Sequence, residues 1–383
     1  MVPISGFVIK VSSRCNLNCS YCYEYNMGDD SWKSMPKTMG LDTMNKIMER
    51  VKEHSLKHDF NNISISLHGG EPLLVGIEKF KEYIGIIKTN LDGYRYTIGI
   101  QTNATLINKD YINFFEENDI YVGISFDGPP KVNDLYRYYH NGKGSSTDVQ
   151  KALELLKPSK IFSGILTVID VNTNPIDTWR FLSEFEPPII DFLLPHANWD
   201  NPPLSHAENN YVKYGDWMLS IFNDWFNGYK SHIRIRFFEE ILYRLFGQKG
   251  SLESLGTEEV GLITISTNGA YEQVDTMKSV YPGAQNIGLN VYNNDLDEVL
   301  LENGIKNRQT GKEGLCLKCQ SCKIVNICGG GYYPHRFSKV LDFNNPSVYC
   351  EDLYKLITQI EETVILKTKN DLSDKKNKSE TLL

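Results

Sequence analysis

The sequence predicts an α/β fold: a parallel sheet of six strands, open or curled into a partial barrel, followed by a smaller module of different style. Three observations lead there. Six short apolar segments alternate with amphipathic helical segments through the first half of the chain. The pattern then changes to a hairpin signal near Leu262. The eight cysteines fall in two tight groups, three between Cys15 and Cys22 and five between Cys316 and Cys350.

The strand candidates are Phe7–Ser12, Ile63–His68, Tyr96–Thr102, Tyr121–Phe126, Ile161–Val168 and Ile189–Leu194. Each is short, apolar and rich in β-branched or aromatic residues, as a buried parallel strand should be. Between them, Leu41, Met44, Met48 and Val51 share one helical face, and Ile77, Phe80, Tyr83 and Ile84 share another. Strand-then-helix units in series imply right-handed crossovers, with chemistry at the C-terminal ends of the strands. Tyr211 to Phe246 reads as helical. Gly250–Glu259 is rich in Gly, Ser and Glu and reads as a linker, dividing the chain into 1–250 and 251–367. Leu262–Val274 alternates around Asn268-Gly269, which predicts a type I′ hairpin. Ile287–Tyr292 reads as a strand and Tyr349–Lys367 as a closing helix. The polar, Lys-rich tail 368–383 is expected to fray.

Composition narrows the function. With 40 Lys+Arg against 48 Asp+Glu the net charge is −8, which is not the footprint of a nucleic-acid binder. At 41% apolar residues the 383-residue chain is globular rather than disordered. No apolar run is long enough to cross a membrane, and the N-terminus carries no basic patch followed by an apolar stretch, so no membrane partner and a cytoplasmic location are expected. Cysteines in two tight groups of a large chain point to metal rather than to a disulfide framework.

Cys15, Cys19 and Cys22 spell C-x3-C-x2-C directly after the first strand. Three thiolates can hold three irons of a cubane and leave the fourth iron free to chelate a ligand. Zinc sites close with four protein ligands, and no further Cys or His follows until His54. This loop resembles the signature of the radical S-adenosylmethionine (SAM) superfamily, and the resemblance continues down the chain. His68-Gly69-Gly70-Glu71-Pro72 is similar to the superfamily's GGEP motif. Gln101-Thr102-Asn103 and Ser125-Phe126-Asp127-Gly128-Pro129 also match. The resemblance implies a partial (β/α)6 TIM-type barrel holding a SAM-binding 4Fe–4S cluster on the three cysteines. It places Tyr21 beside the adenine, Gly70 and Glu71 at the methionine end, Asn103 and Ser125 along the pocket, and Arg137 against the SAM carboxylate, to which a guanidinium fork is suited.

Cys316-x2-Cys319-x2-Cys322-x5-Cys328, followed by Cys350, resembles the C-terminal SPASM (twitch-like) module of radical SAM peptide maturases. That implies one auxiliary 4Fe–4S cluster on Cys319, Cys322, Cys328 and Cys350. Cys316 is either a substitute ligand or a plain buried thiol, and C-x2-C pairs serve zinc as well as iron. A second auxiliary cluster needs a cysteine where Tyr332 stands, and others around the hairpin, where there is none; it is expected to be absent or incompletely ligated.

The strings Cys328–Phe337 and Glu272–Ser279 look like those of maturases that join an aromatic ring to the β-carbon of a nearby residue in a ribosomally made precursor peptide, giving a cyclophane. The resemblance implies a peptide partner, a flavodoxin- or ferredoxin-type reductase, and Asp275 as the base that takes the ring proton; from residues alone Asp275 could equally be a solvated carboxylate at a strand end. A sulfatase-type maturase, forming formylglycine from Cys or Ser, is the alternative. A non-catalytic iron–sulfur or zinc scaffold is a third reading; the matching SAM-pocket positions count against it.

Overall fold

The computed structural model describes the backbone of residues 1–380 and the side chains of residues 1–369. Ten strands form one sheet: β1 (Gly6–Ser12), β2 (Asn62–Gly69), β3 (Arg95–Thr102), β4 (Ile120–Ser125), β5 (Phe162–Val168), β6 (Ile189–Leu193), β7 (Arg234–Ile235), β8 (Leu262–Ile265), β9 (Ala270–Glu272) and β10 (Asn286–Asn290). Their order is β10-β9-β8-β1-β2-β3-β4-β5-β6-β7. From β1 to β7 every pairing is parallel and sequential, with helices such as Leu41–Lys57 and Ile77–Asn90 as the crossovers.

The six expected strands are present, but β2 and β3 are apolar on one face only. Phe7, Ile9, Ile63, Ile65, Leu67, Ile98 and Ile100 are buried against the helices. Each such side chain contributes about 1.5–3 kcal/mol by leaving water. The opposite face carries small and polar residues in register: Ser64 pairs with Thr97, Ser66 with Gly99, and Gln101 with Gly123. A sheet covered on both faces by helices would be apolar on both. This inner face therefore bounds a polar interior, as in a partial barrel.

The sheet does not stop at the expected linker. β8 pairs in parallel with β1, Gly6 opposite Leu262 and Ile9 opposite Ile265. The segment before it is pinned to the helix Arg236–Leu245: the Ser251 amide donates to Glu240 at 2.8 Å, and Arg244 pairs with Glu258 and donates to the Leu255 carbonyl at 3.0 Å. The hairpin β8–β9 is present, but its turn is not type I′. Gly269 has φ +81° while Asn268 stays at negative φ. The Gly269 amide donates to the Ser266 carbonyl and the Ser266 amide to Ala270, both at 2.9 Å. This is a three-residue loop, a type I turn closed by a left-handed glycine. The closing helix is Cys350–Glu380, longer than expected; its backbone continues through the tail, which is rich in the helix formers Lys and Glu and contains neither Gly nor Pro. Residues 381–383 of that tail lie outside the described residues. Among the described residues no helix is long and apolar enough to cross a membrane.

Candidate active site

The cysteine loop leaves the C-terminal end of β1 and is held by the segment after β4. The Asn18 amide donates to Tyr138 at 2.7 Å and the Ser20 amide to Tyr136 at 3.0 Å. Cys15 Sγ accepts from the Leu17 amide at 3.4 Å, with the Asn103 carboxamide 3.6 Å away. Burial pushes all three thiols up, Cys22 to about 12. Such thiols are inert unless a metal ion displaces their protons, so a buried trio on one loop fits a cluster.

Arg137 and Tyr21 meet beside this loop. Arg137 Nη1 donates to the Tyr21 hydroxyl at 3.0 Å, and that hydroxyl donates to Asp127. Arg137 is buried, yet its Nε has no partner among the described residues. Burial works against its charge, but Tyr21, Cys19 and Asp127 outweigh it and keep the guanidinium ionised. A buried cation with a free N–H beside Cys19 fits the carboxylate end of SAM.

The remaining pocket positions have structural partners of their own. A Cβ at Gly70 would lie 2.5 Å from the Arg14 carbonyl and on the Tyr25 hydroxyl. The glycine is therefore already required for packing the motif loop on the cysteine loop. Glu71 is fully buried and accepts from the Leu73 amide (3.0 Å), Thr102 Oγ1 (2.7 Å) and the Asn103 amide (2.8 Å), so its carboxylate ties β2 to β3. Asn103 also donates to Asn16 at 2.9 Å, and Ser125 Oγ accepts from Gln101 at 2.9 Å.

Asp275 is not a solvated carboxylate. It is 8% exposed, at the start of a 3-10 turn that follows β9. The Tyr23 hydroxyl donates to it at 2.8 Å; Lys10 Nζ lies 3.8 Å and His68 Nδ1 3.7 Å from the same oxygen. Burial pushes the carboxyl up, but Lys10, His68, Tyr23 and Lys278 prevail and hold it below the ordinary carboxylate range. Glu24 bridges the two lysines, 2.7 Å from Lys10 and 2.6 Å from Lys278, which is fully buried. Glu272 lies 3.3 Å from Lys10. Breaking a buried pair of this kind typically costs about 3–5 kcal/mol, because one charge is left unpaired. The network joins β1, the residues just after Cys22, and the turn after β9.

Cys319, Cys322, Cys328 and Cys350 line one cavity of about 310 Å³, walled by Ile324, Val325, Pro346 and Tyr354. Four sulfurs around one largely apolar space fit a closed cluster. Cys316 is buried against Cys319 but does not line the cavity. At Tyr332, the position a second auxiliary cluster would need, the hydroxyl shares a 2.5 Å hydrogen bond with Thr276.

Sequence reasoning missed Tyr23, Lys10, Glu24 and His196, and gave His68 and Tyr332 no role beside Asp275 or the loop after β6. Lys10 left a signal, a lone charge inside an apolar strand. His196 left none beyond its position after β6; its ring lies 5.2 Å edge-on from Tyr23.

The profile of the radical SAM superfamily matches residues 9–182. That stretch is a radical SAM domain. The chain is 27% identical over 363 residues to a cysteine-type anaerobic sulfatase-maturating enzyme of Clostridium novyi, covering 92% of this chain and 93% of that one. It is 24% identical over 371 residues to the radical SAM cyclopropyl synthase TigE of Paramaledivibacter caminithermalis, covering 92% of this chain and 73% of that protein. The solved structure of native anSMEcpe with bound AdoMet superposes with a TM-score of 0.78 at 24% identity, over 95% of this chain and 99% of that one. The fold is that of a radical SAM partial barrel with a C-terminal SPASM-type module.

Proposed function

We propose that this protein modifies a ribosomally synthesised precursor peptide by joining an aromatic ring to the β-carbon of a nearby residue. Cys15, Cys19 and Cys22 would hold the SAM-binding 4Fe–4S cluster, and Cys319, Cys322, Cys328 and Cys350 the auxiliary one. Cluster and SAM together supply a carbon radical able to abstract hydrogen. Arg137 grips the SAM carboxylate. Tyr21, Gly70, Glu71, Asn103 and Ser125 shape or brace the pocket. A reductase of flavodoxin or ferredoxin type would provide electrons, and the cytoplasm is the compartment that suits this chemistry. The division at 250 separates barrel from cluster module in this reading.

The observation that carries the crosslink is the state of Asp275. A carboxylate held ionised by Lys10 and Tyr23 is a weak base. It suits a ring adduct, whose proton leaves readily as an electron passes to the oxidant the auxiliary cluster would supply and aromaticity returns. The second reading, oxidation of Cys or Ser to formylglycine, draws on the sulfatase-maturating relatives, which align over about nine-tenths of this chain.

The test is anaerobic turnover of reconstituted protein with SAM and reductant, offered two peptides: one with an aromatic residue near a β-methylene donor, one with a sulfatase-type Cys. A product lighter by two hydrogens, with fragmentation blocked between the joined residues, supports the crosslink. An aldehyde that reacts with a hydrazine, formed from the Cys peptide alone, replaces it with the second reading.

A further inference from the structure

We propose that His196 and His335 form a subsite for an uncharged side chain of the substrate that both donates and accepts hydrogen bonds, the class of carboxamides, hydroxyls and imidazole. The inference rests on the peptide-modifying reading and adds a specificity element to it.

Two separate segments bring the histidines together. His196 follows β6, and His335 lies in the turn Tyr333–Arg336 of the C-terminal module. Their rings are 6.0 Å apart. Tyr23 is 5.2 Å from His196, and Tyr332 is 5.3 Å from His335. Tyr23 is the residue that donates to Asp275, so the pair adjoins the proposed base.

His335 is 3% exposed, and neither of its ring nitrogens has a hydrogen-bond partner among the described residues; His196 Nδ1 has none either. A buried donor or acceptor left without a partner costs about 1–3 kcal/mol, so an orphaned imidazole calls for a partner from outside the chain. Burial holds His196 at about 4 and His335 well below its usual value, so both rings are neutral at physiological pH. A neutral imidazole offers one donor and one acceptor. It therefore selects a group that can answer both and has no charge to attract a carboxylate.

The rings are also held in place. Tyr349 donates to the Pro195 carbonyl at 2.8 Å, the Trp199 amide donates to Phe337 at 3.0 Å, and the Trp199 indole donates to Pro346 at 2.8 Å. These contacts clamp the loop after β6 onto the C-terminal module on both sides of His196. Preorganised partners lower the cost of binding.

The experiment measures binding of synthetic peptides to the reconstituted, SAM-loaded protein by calorimetry. The peptides share an aromatic-containing sequence, and the residue next to the aromatic is Gln, His, Leu or Glu in turn. Gln and His peptides are expected to bind about tenfold to a hundredfold more tightly than Leu and Glu peptides. His196→Phe keeps the ring and removes the nitrogens; it should abolish that preference while leaving SAM binding unchanged. His335→Gln, which retains a donor and an acceptor, should keep the preference and serves as the second variant. Equal binding of Gln and Leu peptides, or a preference that survives in His196→Phe, overturns the subsite alone. Binding of none of the peptides overturns the peptide reading and the subsite with it.

Discussion

Asp275 takes its surroundings from four stretches of chain: β1 gives Lys10, the cysteine loop gives Tyr23, β2 gives His68, and its own turn gives Lys278. If it receives the proton after hydrogen abstraction, Asp275→Asn should still cleave SAM. Single-turnover assays should then find 5′-deoxyadenosine without product; loss of both together would make it a substrate-holding residue instead. Arg137→Ala should weaken SAM binding by about 1.5–3 kcal/mol in a direct titration, since it removes a charge-assisted contact. Gly70→Val is expected to lower iron content as well as SAM affinity, because the added side chain would strike the Arg14 carbonyl on the cysteine loop. The grouping of the three cysteines could be read from the sequence because they lie within eight residues on one loop. The Lys10–Glu24–Lys278 chain could not, because an ion pair spanning 254 residues imposes no local pattern.

Among the elements, the helix Leu41–Lys57 was legible from its apolar stripe as far as Val51, but its attachment to the N-terminal segment was not. His54 makes that attachment: Nε2 accepts from the Ile4 amide at 3.0 Å, and Nδ1 lies 3.0 Å from Asp297. Burial, together with the neighbouring His58, overcomes the pull of Asp297 and lowers His54 from 6.5 to about 4. The unfolded chain then takes up a proton first as pH falls. The contribution of His54 is present in full above 6.5 and lost between 6.5 and about 4, up to about 3 kcal/mol. Melting temperature should fall across that window, and His54→Gln, which can still accept from Ile4, should flatten the fall. The hairpin shows a different limit of sequence reading. Asn-Gly announced the turn, but loop length decided its type, since the extra loop residue Thr267 leaves Gly269 alone in the left-handed region.

At the scale of the whole molecule, the two cysteine groups predict two clusters. Anaerobic reconstitution should give about eight irons and eight sulfides per chain, and replacing Cys15, Cys19 and Cys22 by Ala should remove about half. A wild-type protein holding four irons and zinc would refute the second cluster. The parallel sheet was legible because each strand and helix carries its own period. That the sheet runs on past residue 250 was not, because β8 looks like half of an ordinary hairpin until its parallel partner is known. That partner is β1, made well before β8, and one of its two edges stays bare until Leu262–Ile265 has been made. Long-range parallel pairing is slow, and an open strand edge invites association with other chains. A chain cut at residue 250 should therefore collect in the insoluble fraction or as oligomers on size exclusion, even with every crossover helix of the barrel intact. The same bare edge predicts that the newly made barrel needs chaperone cover until late in translation, when β8 closes the flank of the strand that leads into the cysteine loop.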